Sequence, residues 1–152
     1  MDYIDYKILK ELKANAREKA SVISEKIGLS VSTVIDRIRK MEDSGIISGY
    51  TVKINQKKTG NDMTALMEVS LEHPKYYDEF TEMIRNNPNI VDCYYLTGEF
   101  DFILKVITDS SDSLEMIHRN IKSMDGVSAT NTHFVLKSVK NEFSILPTIE
   151  KD

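Results

Sequence analysis

The sequence predicts an α+β protein with a helical N-terminal part and a mixed α/β C-terminal part. Apolar residues recur at helical spacing through about residue 43, and β-rich runs alternate with helices after residue 63. The charge is also divided. Residues 1–60 carry 12 basic and 8 acidic side chains, a net charge of +4, whereas residues 61–152 carry 8 and 16, a net charge of −8. This division predicts two domains with different partners, because a basic surface attracts phosphates and an acidic surface repels them.

Composition narrows the possible function classes. The chain has 152 residues, of which 41% are hydrophobic and 29% charged, as in soluble globular proteins rather than disordered, collagen-like or disulfide-stabilised ones. No apolar run approaches the roughly 18 residues of a membrane span, and the first residues lack the basic and apolar segments of a secretory signal. We therefore expect a cytoplasmic protein without membrane contact. The single cysteine, Cys93, lies in a β-rich run and is expected to be a buried, unreactive thiol.

Three helices are predicted in the first third of the chain. Residues 2–15 carry apolar side chains at helical spacing, with Asp2 as the expected N-cap. Residues 20–27 form a second helix that ends at Gly28, a residue suited to a left-handed C-cap. Ser30 is expected to cap a third helix, which continues to about residue 43. Its predicted apolar face consists of Val34, Ile35, Ile38 and Met41.

Two helices joined by a short glycine-containing turn, the second with a polar and basic free face, are typical of a helix-turn-helix DNA-binding domain. Small hydroxyl side chains near the start of the third helix can meet base edges, and basic side chains further along can reach phosphates. The candidate DNA-binding residues are Ser30, Ser32, Thr33, Asp36, Arg37, Arg39 and Lys40. The alternative is an ordinary three-helix bundle with a solvated charged face. The local net charge of +4 and the turn at Gly28 favour DNA binding.

Residues 46–54 are rich in β-branched and aromatic side chains and predict a short hairpin, or wing, beside the helices. The first domain is therefore expected to be a winged helix-turn-helix over residues 1–54. Residues 55–62 are polar and contain a glycine, which predicts a hinge. A second domain is expected over residues 63–152.

The second domain is predicted to have the order βαββαβ. The strands are expected at residues 64–72, 90–97, 100–108 and 127–139, and the helices at 76–87 and 112–124. This order is the ferredoxin-like arrangement, a four-stranded antiparallel sheet with two helices on one face. The side chains expected to face the sheet are Tyr77, Phe80, Met83 and Ile84 of the first helix and Leu114, Ile117, Ile121 and Met124 of the second.

The other face of the sheet also needs a cover. Alternating positions such as Cys93, Tyr95, Phe102 and Leu104 are expected to leave apolar groups on both sides. A second copy of the chain is the expected cover, so we predict at least a homodimer. A dimer would also give a helix-turn-helix protein two copies of its DNA-binding helix for a palindromic site.

The chain resembles the Lrp/AsnC family, the leucine-responsive or feast/famine transcription regulators of bacteria and archaea. The resemblance extends over nearly the whole chain. The segments that carry it are residues 2–9 (DYIDYKIL), 27–30 (IGLS), 45–51 (GIISGYT), 96–101 (LTGEFD), 126–127 (GV) and 130–132 (TNT). Each segment alone is a weak signal, but their order and spacing together are specific. Two departures are Lys19, where the family usually has a Ser or Thr cap, and Val31, where it often has proline. Ser21 could cap a later start of the second helix.

The resemblance implies that the ferredoxin-like domain is a RAM/ACT-like effector domain. Family members bind small effectors, usually amino acids, between dimers of an octamer or similar ring. The implied effector-binding residues are Thr97, Gly98, Asp101, Thr130 and Thr132. A carboxylate could pair with the ammonium group of an amino acid, and hydroxyl or backbone N–H groups could bind its carboxylate. The alternatives are a turn glycine, a structural aspartate and ordinary strand threonines.

Two other function classes remain as alternatives. One is an effector-independent architectural DNA-binding protein, and the other is a ferredoxin-like enzyme, since this fold supports many functions. His73, His118 and His133 have no metal-ligand spacing to one another or to Cys93. Phosphate-binding, dinucleotide-binding and nucleophile-elbow motifs are missing from the sequence. We therefore expect no catalytic residues, no metal and no cofactor.

Overall fold

The computed structural model describes residues 1–148, and the chain divides into two compact units. The first unit comprises Met1–Lys53 and the described part of the tail from Lys140, and the second comprises Ile54–Val139. The sequence predicts this tail as part of the second domain, residues 63–152. In the structure Lys13 Nζ of the first unit donates to Glu142 Oε2 of the tail over 2.8 Å. The last four residues of the expected second domain, 149–152, lie outside the described residues.

Three helices build the first unit: α1 (Tyr3–Ala14), α2 (Ala20–Ile27) and α3 (Val31–Asp43). Their ends are set by local capping. Asp2 and Asp5 form a reciprocal capping box at the start of α1, and Ser30 Oγ accepts the Thr33 N–H at the start of α3. Gly28 ends α2 with a φ of 73°, which a residue with a side chain rarely adopts. The core consists of Ile8, Leu12, Ile23, Val34 and Met41.

The predicted bounds of α2, residues 20–27, are confirmed, and the alternative later start capped by Ser21 is not adopted. The helix begins at Ala20 with Lys19 as its N-cap, although the Lys19 side chain makes no capping hydrogen bond. Ser21 is the second helical residue, and its carbonyl accepts the hydroxyl of Ser24. The backbone therefore starts the helix without a polar cap, because packing of Ile23 in the core fixes this segment.

Two other predictions for the first unit need correction. Ile35 was expected in the core but is 44% exposed, because it lies about 100° around the helix from buried Val34. The hairpin expected over residues 46–54 is not formed. Ile47 packs against the core and its N–H bonds to the Met41 carbonyl, but no strand follows within this segment. A strand needs a partner strand, and residues 46–54 pair with none in the described part of the chain.

The predicted hinge contains a short ordered element. Residues Gln56–Thr59 form a 3₁₀-helix, capped by the Asn55 side chain and ended by Gly60 with a φ of 91°. Lys57 and Asp62 form an exposed ion pair across this turn. The segment belongs to the second unit.

The second unit has the predicted βαββαβ order. Its strands are β1 (Met63–Leu71), β2 (Ile90–Tyr95), β3 (Phe102–Thr108) and β4 (Val127–Phe134), and its helices are α4 (Tyr77–Arg85) and α5 (Ser111–Lys122). The sheet is antiparallel with the order β2-β3-β1-β4, the ferredoxin-like arrangement. A 3₁₀-helix, Pro74–Tyr76, leads into α4.

The core of this unit lies between the two helices and one face of the sheet. Phe80 and Ile84 of α4 and Ile117 and Ile121 of α5 are buried there as predicted. Strands β1 and β3 contribute the alternate residues Ala65, Met67, Val69, Phe102, Leu104 and Val106. Tyr77 and Met83 were also expected inside but are 38% and 45% exposed. They lie at the edges of the α4 apolar face, and Thr81 is buried instead.

The last strand is shorter than predicted. It ends at Phe134 instead of residue 139, because its partner β1 begins at Met63. Phe134 pairs with Ala65, and the N–H of Val135 makes the final hydrogen bond, to the Thr64 carbonyl. Only Met63 of β1 lies beyond that bond, so β1 offers no partner to residues 137–139.

The register of β2 and β3 places other residues on the helix-free side of the sheet than the sequence predicts. Cys93 pairs with Leu104 and Tyr95 with Phe102, so all four lie on the helix side rather than on both sides. The apolar residues of the helix-free face are instead Leu66, Tyr94, Ile103 and Ile107. Cys93 is exposed, contrary to the prediction, although partial desolvation raises the pKa of its thiol.

Candidate DNA-binding and ligand-binding sites

Three hydroxyl groups lie together at the start of α3. Ser30 Oγ is 2.7 Å from Thr33 Oγ1 and 3.0 Å from Ser32 Oγ, and it also accepts the Thr33 backbone N–H over 3.1 Å. Ser30 and Ser32 are exposed, and Thr33 is half-buried. Hydroxyl groups both donate and accept, so this end of the helix can hydrogen-bond with base edges or phosphate oxygens.

The outward face of α3 carries most of the other candidate residues. At 100° per residue, Ser32, Asp36 and Arg39 lie opposite the buried Val34 and Met41. All three outward residues are exposed, as is the neighbouring Lys40. A cavity of about 470 Å³ opens beside the flank of α3 that carries Thr33, Asp36 and Lys40. These side chains are therefore accessible to a ligand within the described part of this unit.

Arg37 has different surroundings from Arg39. Its Nη1 lies 2.7 Å from Asp5 Oδ1 and 2.8 Å from Asp2 Oδ2 at the start of α1, and only 27% of its side chain is exposed. The hydrogen bond from the Asp5 N–H, and then that from Arg37, hold the pKa of Asp2 below its usual value. The same ion pairs raise the pKa of Arg37. Arg37 thus joins α3 to α1, a contact for which the sequence contains no local signal.

In the second unit, residues 96–101 connect β2 and β3 at one end of the sheet. The Leu96 N–H donates to the Asp101 carbonyl over 2.7 Å and closes this loop. The Asp101 N–H donates to the Val69 carbonyl, and Asp101 Oδ2 accepts the Leu71 N–H over 2.7 Å. One carboxylate oxygen of Asp101 therefore fixes the loop to the end of β1, and Oδ1 has no hydrogen-bond partner among the described residues.

Thr97 and Gly98 lie at the tip of the same loop and are exposed. Gly98 has a φ of 150°, and a Cβ atom added there would meet no other heavy atom within 4 Å. The space beside the Gly98 backbone is open, so a ligand can approach the loop closely.

Thr130 lies across β1 from Asp101. Thr130 pairs with Val69, the residue whose carbonyl also accepts the Asp101 N–H. Phe102 pairs with Val69 on the other side of β1, so Asp101 lies one residue beyond the level of Thr130, roughly 10 Å from it across two strand spacings. Thr132 pairs with Met67, about 7 Å further along β1. The structure thus brings the loop and Thr130 to one end of the sheet, with Thr132 further from it.

His118 was not among the predicted site residues, although it contacts one of them. Its Nε2 lies 3.2 Å from Thr130 Oγ1, and the contact is partly buried. The sequence does contain a signal for this contact. His118 directly follows Ile117, which belongs to the predicted apolar face of the helix.

Membrane-spanning helices and metal-binding groups were also sought among the described residues. Among residues 1–148, no helix combines the length and the apolar character needed to cross a membrane. In the same range, histidine, cysteine and carboxylate side chains form no group of three that could hold a metal ion.

Comparison with known proteins identifies both units. Residues 64–145 match the Lrp/AsnC ligand binding domain, and residues 1–48 match a winged helix-turn-helix DNA-binding domain. An HTH-type transcriptional regulator of Pyrococcus furiosus is 34% identical over 147 residues, which are 97% of this chain and 99% of that protein.

Two solved structures show the same architecture. Escherichia coli AsnC is 28% identical with a TM-score of 0.89, over 97% of this chain and 99% of that one. A transcriptional regulator of Neisseria meningitidis in complex with L-methionine is 28% identical with a TM-score of 0.91, over 95% and 96%. The helix-turn-helix unit, the ferredoxin-like unit and these matches lead to one conclusion: the chain belongs to the Lrp/AsnC family and is a DNA-binding transcription regulator with a ligand-binding domain.

Proposed function

We propose that this regulator binds double-stranded DNA through α3 and responds to an amino acid. The amino acid binds in the second unit, at the end of the sheet where β1 finishes and the loop of residues 96–101 lies. The observation that carries the ligand proposal is the arrangement of Asp101 and Thr130 on either side of Val69, beside an open Gly98. The L-methionine complex of the Neisseria meningitidis regulator supports an amino acid as the ligand class.

On the DNA side, the exposed residues of α3 have distinct roles. Ser30, Ser32 and Thr33 hydrogen-bond with base edges or phosphates at the start of the helix, and Asp36 can accept from a cytosine amino group. Arg39 and Lys40 bind phosphates. Arg37 acts as a positioning residue, because its guanidinium is paired with Asp2 and Asp5.

Salt dependence tests this assignment. Each Lys or Arg that neutralises a phosphate releases a counterion, so affinity falls steeply with salt. We expect Arg39→Ala to weaken binding to all duplexes and to lower the salt slope by about one. Asp43→Ala on the same helix is the control, because it removes no positive charge. An unchanged slope in Arg39→Ala would remove Arg39 from the phosphate contacts.

On the ligand side, Asp101 Oδ1 pairs with the ammonium group of the amino acid. The hydroxyl of Thr130 and the Gly98 N–H bind its carboxylate, and Thr97 and Thr132 line the approach. A second copy of the chain covers the helix-free face with Leu66, Ile103 and Ile107, which gives a homodimer that assembles further to an octamer or a similar ring. The assembly works in the cytoplasm.

Calorimetry with a panel of the common amino acids tests the ligand site. One or a few amino acids should release or absorb heat with the wild type, and Asp101→Asn and Thr130→Val should abolish that heat. Asp112→Asn, an exposed aspartate on α5, is the matched control and should bind as the wild type does. If no amino acid binds while DNA binding persists, the protein is an effector-independent architectural regulator.

A further inference from the structure

One flank of α3, between its buried and outward faces, carries two exposed apolar side chains. Val31 and Ile35 are 42% and 44% exposed, and they lie one helical turn apart. Arg39 follows Ile35 by another turn, so the three side chains form a continuous stripe along the helix. Ser32 lies next to this stripe and is also exposed.

Single exposed apolar residues are common on protein surfaces and need no explanation. The position of Ile35 is different, because it lies only about 40° around the helix from Arg39 and about 60° from Ser32. No contact within the described helical core requires Ile35, which lies outside the cluster formed by Val34, Met41 and their neighbours.

The major groove of DNA offers one apolar group, the C5-methyl of thymine. We propose that Ile35, with Val31 beside it, contacts a thymine methyl group and so specifies an A·T pair in each half-site. This inference rests on the proposed placement of α3 in the major groove. The basic side chain of Arg39 at the end of the stripe matches the phosphates that border the groove, which makes DNA the occupant of this face rather than another protein surface.

The expected effect is modest and measurable. Burial of one methyl group changes affinity about fourfold. Replacing the contacted thymine by deoxyuridine removes the methyl group and leaves the base-pairing edge and the backbone unchanged. The substitution therefore isolates the apolar contact from hydrogen bonds and from phosphate contacts.

The experiment begins with selection of a duplex from a random library by the full-length protein. Each thymine of the selected site is then replaced singly by deoxyuridine, and affinity is measured by fluorescence anisotropy. We expect a loss of about fourfold at one thymine per half-site with the wild type. Ile35→Ala should bind the thymine and deoxyuridine duplexes equally at that position. Arg39→Ala is the control variant: it should bind both duplexes more weakly, with the fourfold ratio preserved.

The outcomes distinguish a failure of the thymine contact from a failure of the proposed placement of α3 in the major groove. If Arg39→Ala weakens binding but no deoxyuridine substitution affects the wild type, the thymine contact is overturned and the placement of α3 stands. The same holds if Ile35→Ala keeps the wild-type ratio, which would assign the methyl contact to another residue or Ile35 to a protein partner. If Arg39→Ala binds DNA as the wild type does, the placement of α3 itself fails. Ile35 is exposed, so circular dichroism should show that Ile35→Ala folds normally.

Discussion

The guanidinium of Arg37 lies 2.7 Å from the carboxylate of Asp5, so a residue of the DNA-binding helix is paired within the protein itself. Asp2 takes part in the same cluster at 2.8 Å. Both carboxylates belong to the capping box that starts α1. The first turn of α1 and the middle of α3 are therefore fixed to each other by charge as well as by the apolar core.

The first prediction concerns stability. Arg37→Ala should lower the free energy of unfolding by about 1 kcal/mol, because the pair with Asp5 is only partly screened by water. Arg39→Ala removes the same kind of side chain from an exposed position and should leave stability nearly unchanged. Urea denaturation followed by circular dichroism measures both. Equal stability of the two variants would show that the Arg37 pair contributes nothing to the fold.

The second prediction concerns the stability of the fold at acidic pH. Folding lowers the pKa of Asp2 below its ordinary value of 3.8, chiefly through the Asp5 N–H and then through Arg37. A lowered pKa gives stability that is present above the unfolded-state value and is lost as the pH falls through the folded-state value. Asp2→Asn should therefore be less stable than the wild type at pH 7, and the difference should shrink below about pH 4. Denaturation at several pH values tests this; a difference that stays constant with pH would contradict it.

The third prediction concerns Gly126 at the start of β4. Its φ is 82°, and an added Cβ would overlap the side chain of Tyr76 at Cγ. Gly126→Ala should destabilise the protein by roughly 3 kcal/mol, from backbone strain and the clash together. Gly28→Ala is the matched control. Gly28 also has a positive φ, 73°, but an added Cβ there would meet no heavy atom within 4 Å, so this substitution costs backbone strain alone. If Gly126→Ala is no worse than Gly28→Ala, Tyr76 does not pack on Gly126.

The fourth prediction concerns His118 and rests on the proposed ligand site. Its hydrogen bond with Thr130 orients the hydroxyl, so His118→Ala should weaken amino-acid binding about two- to tenfold. His118→Gln carries an amide that can restore the bond and should recover part of the affinity. Asn120→Ala, an exposed change on the same helix, should have no effect. Calorimetry gives all three values, and full affinity in His118→Ala would leave the histidine without a role there.

Local signals predicted much of the fold. The caps at Asp2, Ser30 and Gly28 are set by residues within a few positions of each helix end, so the bounds of α1, α2 and α3 followed closely from the sequence. The βαββαβ order followed from the alternation of β-rich and helical segments.

The errors came from long-range packing. The pair between Arg37 and Asp5 spans 32 residues and has no local signature. An irregularity between Ile90 and Asp92 shifts the alternation of β2, so Cys93 and Tyr95 face the helix side with their partners. The exposure of Ile35 depends on how much of α3 the other two helices cover, which helical periodicity does not specify.

The same distinction between local and long-range signals applies to the site residues. The loop at Gly98 and Asp101 was recognisable from its family resemblance, but the role of Asp101 Oδ2 in fixing the end of β1 depends on a strand 30 residues away. The contact of His118 with Thr130 likewise depends on how α5 packs on β4, which only the folded unit determines.

In the proposed function, an amino acid bound beside Gly98 and Asp101 controls the assembly of a DNA-binding regulator. The decisive measurement is the light-scattering mass of the purified full-length protein, with and without each common amino acid. We expect a shift from dimer towards octamer, or the reverse, with one or a few amino acids, and no shift in Asp101→Asn. A mass that stays fixed with every amino acid would contradict it.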